Sequence, residues 1–119
     1  MNTRDLGNYG EDLACSYINS KKYEIIERNF RKRNGELDII AKKDDILIFI
    51  EVKSRYSTYL CSPREAVNYL KQKTIKNLAR YFIHINNLYD FYVRFDVIEI
   101  YLNNYDDNYT ITHLEDAFR

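Results

Sequence analysis

Leu37-Asp38-Ile39-Ile40-Ala41-Lys42-Lys43-Asp44-Asp45-Ile46-Leu47-Ile48-Phe49-Ile50-Glu51-Val52-Lys53 is the stretch that decides the fold. Two apolar runs, Leu37 to Ala41 and Ile46 to Val52, flank the polar tetrad Lys42 to Asp45, which is the pattern of a β-hairpin. Side chains two apart on a strand share a face. In the second run Ile46, Ile48, Ile50 and Val52 point one way, and Leu47, Phe49, Glu51 and Lys53 the other. A strand that is apolar on both faces belongs in the middle of a sheet covered on both sides. In the first run Leu37, Ile39 and Ala41 share one face, while Glu36, Asp38 and Ile40 share the other.

Working outward, Thr3 to Ser20 reads as a helix, with Leu6, Leu13, Ala14, Tyr17 and Ile18 on one stripe. Residues 22–33 have strand character, with Tyr23, Ile25 and Ile26 leading into the basic stretch Arg28 to Arg33, and Asn34-Gly35 marks a turn. Residues 56–62 read as a loop. A second helix is expected from Ser62 as cap, with Pro63 at its first position and Glu65 completing a capping box. It should run to about Ile85, with Val67, Leu70, Thr74, Leu78, Phe82 and Ile85 inward. Phe91 to Leu102 and Tyr109 to Leu114 are the last strands, around a turn over Asn103 to Asn108. The order is α-β-β-β-α-β-β, an α/β chain with no internal repeat.

The bulk numbers narrow the function. At 119 residues the chain is expected to form one domain, residues 1–119. A 45% hydrophobic and 30% charged composition with one Pro and three Gly is that of a soluble globular protein. The longest apolar run, Ile46 to Ile50, is far too short to span a bilayer, and Met1 to Glu11 carries no secretory signal. Cys15 and Cys61 lack metal-site spacing and read as reduced thiols, so a cytoplasmic location is expected. Eighteen basic and eighteen acidic residues cancel, which argues against holding nucleic acid by bulk charge alone. Twelve tyrosines can stack on bases if exposed; half-buried strand and helix positions are the plainer account.

The candidate site lies on the hairpin. Glu51 and Lys53 sit side by side at the end of an apolar strand, where burial is costly unless they are paired or bind an ion. Asp38 is embedded in the neighbouring apolar strand, so Asp38 and Glu51 can converge on one metal ion. Phosphodiester hydrolysis needs such a cation on carboxylate oxygens, and a nearby ammonium can orient the attacking water. Glu11 lies beside Ile18 at the rim of the first helix's apolar stripe, with Asp12 toward solvent, and can reach the same ion. The competing account is structural: Glu51 and Lys53 as a salt-bridged strand end, with Asp38 as a partner of Arg55. Glu36 reads as a solvated residue beside the turn. Arg28, Arg31, Lys32 and Arg33, and on the second helix Lys71, Lys73, Lys76 and Arg80, can contact phosphates or form solvated faces. Asp96 is expected to pair with Arg94, while His84 and His113 stand isolated in the sequence.

These segments resemble a known family. They are Gly7-Asn8-Tyr9-Gly10-Glu11 with Ala14, Asn29-Phe30-Arg31, Gly35-Glu36-Leu37-Asp38-Ile39-Ile40-Ala41, and Phe49-Ile50-Glu51-Val52-Lys53-Ser54-Arg55. Ala66-Val67, Lys71 and Arg94-Phe95-Asp96-Val97 follow in order. Together they resemble the bacterial YraN-like family of predicted endonucleases, itself similar to archaeal Holliday-junction resolvases and the restriction-endonuclease-like PD-(D/E)xK superfamily. The resemblance implies a mixed sheet of about five strands flanked by helices, metal acids at Asp38 and Glu51, Lys53 as the catalytic lysine, and Glu11 as the first-helix glutamate. It implies an Mg2+- or Mn2+-dependent DNA endonuclease selective for branched or other structured DNA. Single-stranded DNA is a further substrate class, Arg31, Arg33, Arg55, Lys71 and Lys73 are nucleic-acid contacts, and a homodimer is expected by analogy. The neutral charge departs from the basic character of resolvases. A nucleic-acid-binding or partner-binding module on the same fold, with weak or no cleavage, is the alternative.

Overall fold

The hairpin forms as its alternation demands. The computed structural model describes residues 3–56, 67–103 and 105–119. Its elements are α1 (Thr3–Ser20), β1 (Glu24–Lys32), β2 (Gly35–Lys43), β3 (Ile46–Tyr56), α2 (Tyr69–Asn86), β4 (Tyr92–Leu102) and β5 (Tyr109–Phe118). The five strands make one sheet in the order β1-β2-β3-β4-β5. β3 is therefore central. It pairs antiparallel with β2 and parallel with β4, while β1–β2 and β4–β5 are antiparallel, so the sheet is mixed as expected. The parallel β3–β4 pair needs a crossover, and α2 lies within it.

The two faces of β3 serve two cores. Ile48 and Ile50 join Ile39, Ala41, Ile98 and Ile100 under Ala14 and Ile18 of α1. Leu47 and Phe49 join Ile40 and Val97 under Ile75, Leu78, Ala79 and Phe82 of α2. Leu37 corrects the simple alternation: it packs on the α2 side with Phe30, its register partner on β1, rather than with Ile39 and Ala41.

The expected capping box at Ser62, Pro63 and Glu65 lies outside the described residues, as do residues 57–62 of the expected loop; Tyr56, expected in that loop, is instead the last residue of β3, in register with Leu102 of β4. Val67 and Asn68 are not helical. Asn68 caps α2, its side-chain oxygen accepting a hydrogen bond from the Lys71 N–H at 2.9 Å. The buried row is Ile75, Leu78, Ala79 and Phe82. Leu70 and Ile85 are 74% and 49% exposed, not inward. Leu70 sits in the first turn, next to Lys71, whose ammonium faces Glu51 on β3. Ile85 lies in the last turn. At the other end Asn87 closes the helix with a left-handed backbone, φ 55°. β5 runs to Phe118, beyond the expected Leu114, because Phe118 stacks on Phe95 with ring centroids 5.1 Å apart. No helix among the described residues is long and apolar enough to cross a membrane.

Phe49 is 1% exposed, stacked on Phe95 at 5.7 Å and edge-on to Phe82 at 6.2 Å. Phe49→Ala should lower unfolding free energy by about 3–5 kcal/mol in a urea titration; a loss below about 1 kcal/mol would contradict this packing.

Candidate functional site

The sheet forks at the hairpin. β2 and β3 stay in register from Lys43↔Ile46 to Ile39↔Ile50 and no further. Beyond that pair β2 remains bonded to β1 as far as Gly35, and β3 remains bonded to β4 as far as Tyr56. Asp38 and Glu51 are the first residues past the last pair, one on each arm. Asp38 spans the opening: its Oδ2 accepts a hydrogen bond from the Val52 N–H at 2.9 Å. The Glu51 carboxyl, on the other arm, is near enough for its charge to be felt at Asp38. Burial first, then the charge of Glu51, pushes the Asp38 carboxyl up to about 8.

The helices supply the rest. Lys71, in the first turn of α2, places Nζ 3.5 Å from Glu51 Oε1. On the other side α1 rests on β3 at Gly10, where a Cβ would lie 1.6 Å from Ser54 Oγ. Only glycine permits that approach, and the approach carries the next residue, Glu11, toward the fork. Glu11 is 7% exposed, and its carboxyl is raised by burial despite the Arg28 guanidinium, whose Nε is 3.2 Å away. The charge of Glu11 is felt at Asp38. Arg28 also reaches Asp12 at 2.8 Å, so this arginine, read from sequence as a phosphate contact, instead ties α1 to β1. Lys53 shares the Glu51 face of β3 and is in register with Glu99 on β4.

The remaining candidates are dispersed. Arg31 is ion-paired with Glu36 on β2, so Glu36 is a strand residue with a partner rather than a solvated one. Arg55 places its guanidinium 6.0 Å from the centre of the Tyr101 ring. Arg33 sits at the tip of the β1–β2 hairpin and Lys73 on the exposed side of α2.

Two features escaped the sequence. Glu99 is 2% exposed on the sheet face of Glu51 and Lys53 and accepts from the Tyr101 hydroxyl at 2.9 Å. The signal was present: Glu99 is an acid inside an apolar strand, like Glu51. The second is a buried network away from the fork. Arg94 pairs with Asp96 at 2.9 Å as expected, but His113 is not isolated. Its Nε2 lies 2.7 Å from Asp96 Oδ2 and its Nδ1 3.2 Å from the Tyr17 hydroxyl. Burial alone would raise the Asp96 carboxyl, but hydrogen bonds from His113, Arg94 and the Asp116 N–H outweigh it and hold it low.

Among the described residues no three His, Cys, Asp or Glu side chains lie together closely enough to hold an ion. Asp38 and Glu51 are nonetheless a donor set for a hard cation. Carboxylate oxygens on facing strands suit a divalent ion, with other coordination positions left to water and substrate oxygens.

Comparison with known proteins gives one family. The model of an uncharacterised protein family, UPF0102, matches residues 10–100, a span that holds Glu11, Asp38, Glu51, Lys53 and Lys71. A UPF0102 protein of Clostridium perfringens is 48% identical over 116 residues, covering 98% of this chain and 95% of its own. A UPF0102 protein of Clostridium tetani is 48% identical over the same coverage.

Because the Asp38 carboxyl is raised, its protonated form favours the fold below the ordinary carboxylate range, and that contribution is lost as pH rises toward about 8. In a chelator, Asp38→Asn should therefore melt at or above wild type, by a margin that grows from pH 5 to pH 8. A margin that shrinks as pH rises would show that the Asp38 carboxyl is not raised.

Proposed function

We propose that this chain, which belongs to the UPF0102 family, is a divalent-metal-dependent DNA endonuclease that acts on branched or other structured DNA. The observation that carries the reading is the pair of half-buried carboxyls, Asp38 and Glu51, one on each arm where the sheet opens, with the charge of Glu51 raising the Asp38 carboxyl. A structural acid is satisfied by cations and N–H groups, as Asp96 is; a pair held against its own repulsion is the mark of a site that takes an ion.

Asp38 and Glu51 would hold Mg2+ or Mn2+, with Glu11 assisting once it leaves Arg28. The ion, when bound, makes a water more acidic and offsets charge on the phosphate. Lys53, on the Glu51 face of β3, positions the attacking water or steadies the phosphate oxygens. Lys71 is placed to exchange Glu51 for a phosphate of the DNA backbone. Arg31, Arg33, Arg55 and Lys73 extend the contact surface. A homodimer would present two such forks to a two-fold junction. A second reading, a binding module with weak or no cleavage, draws on one observation: Glu51 and Glu11 each already face a cation, Lys71 and Arg28.

Purified protein should cleave flapped, four-way or single-stranded DNA with Mg2+ or Mn2+ and not in a chelator. Asp38→Ala, Glu51→Ala and Lys53→Ala should each lose at least about a hundredfold in rate. Absence of metal-dependent cleavage by wild type on all three substrates would discard the endonuclease. Calorimetric metal binding abolished in Asp38→Ala, without cleavage, would select the binding module.

A further inference from the structure

Away from the acidic fork, the tip of the β1–β2 hairpin is built against α2. Gly35 is the point of contact: a Cβ there would lie 2.6 Å from Thr74 Cγ2 and 3.1 Å from Leu78 Cδ1. Just beyond this contact Lys32, Arg33, Asn34, Asn77, Leu78 and Tyr81 line a pocket of about 300 Å³. Tyr81 is 45% exposed, and its ring is backed by Phe30 at 6.3 Å, which in turn meets Phe82 edge-on at 5.1 Å. Lys32 Nζ stands 5.6 Å from the Tyr81 centroid and 5.1 Å from that of Phe30.

Each wall offers a different chemistry. Tyr81 presents a supported aromatic face, Leu78 an apolar floor, Lys32 and Arg33 two cations, and Asn34 and Asn77 amides with both donors and acceptors. A flat aromatic ligand with hydrogen-bonding edges and a negative charge answers all of them, and a nucleotide is that ligand. In a duplex the base faces are covered by their neighbours, so only an unpaired nucleotide can enter. The spacing suits a strand that also reaches the fork. Tyr81 and Lys71 are separated by ten residues of one helix, about 15 Å of axis, a distance that a few nucleotides of an unpaired strand can span.

We propose that the pocket between the β1–β2 tip and α2 binds one unpaired nucleotide of a nucleic-acid strand whose backbone continues to the Asp38–Glu51 fork. This rests on the reading of the fork as a nucleic-acid site and adds to it a requirement for unpaired bases beside the cleaved bond.

The test measures binding by fluorescence anisotropy in a chelator, with the full chain, a short labelled oligothymidylate and a blunt duplex of the same length. Tyr81→Ala should weaken oligothymidylate binding about tenfold while leaving duplex binding unchanged, and Tyr81→Phe should stay within about twofold of wild type. Lys32→Gln should weaken the single strand and reduce its salt dependence. No binding of the single strand by wild type, equal losses on strand and duplex in Tyr81→Ala, or competition by thymidine monophosphate as strong as by the oligomer would each overturn the proposal. The two readings separate cleanly. Tyr81-dependent strand binding without metal-dependent cleavage keeps the pocket and discards the endonuclease. Cleavage indifferent to Tyr81→Ala keeps the endonuclease and discards the pocket.

Discussion

Two carboxyls brought together at the open end of a hairpin, one of them pushed up by burial and by the charge of the other, set the terms for the rest of the structure. Asp38 and Glu51, both half-buried, meet where β2 and β3 part. What surrounds them can be understood as a response to that repulsion. A backbone N–H from Val52 donates to Asp38, Lys71 approaches Glu51 from α2, and Arg28 holds Glu11 back on the α1 side. The two helices thus lie on opposite faces of the sheet but bring charge to the same opening.

Asp96 shows what the same chemistry looks like when the fold has satisfied it. It is wholly buried where Asp38 is half-buried, yet Arg94, His113 and the Asp116 N–H surround it and its carboxyl is held low. Asp38 has one N–H and an acid for a neighbour and is driven the other way. The contrast lies in partners, not in burial. It also accounts for the neutral composition: the eighteen acids and eighteen bases are not spread evenly, and their local pairing rather than their sum decides where the surface attracts or repels a polyanion.

Much of this was legible in the sequence because period-2 alternation is a strong signal. The parity of Leu47, Phe49, Glu51 and Lys53 located the centre of the sheet, and Asp38 and Glu51 fell on adjacent strands. The helical wheel brought Glu11 to the rim of α1. What could not be read depends on contacts across the chain. The fork exists because β1 and β4 hold β2 and β3 apart. His113 finds Asp96 seventeen residues away and Tyr17 ninety-six residues away, separations at which spacing says nothing. Leu70 and Ile85 fit the helical pattern of α2 yet are exposed, because an apolar residue in a terminal turn satisfies that pattern whether or not the sheet extends beneath it. Glu99, an acid inside an apolar strand, is legible by the same argument as Glu51.

The joint between β2 and β3 has one more consequence. Only five residue pairs, Lys43↔Ile46 to Ile39↔Ile50, join the β1–β2 ribbon to the three-stranded remainder. Asp38 rides on one blade and Glu51 on the other, so the gap between their oxygens works like the jaws of a caliper whose pivot is that short seam. The Val52 N–H, donating to Asp38 across the opening, holds the jaws at their present setting. The spacing of the two acids is therefore a mechanical property of the whole sheet. Anything that leans on the far end of the ribbon, where Gly35 abuts Thr74, has leverage on it.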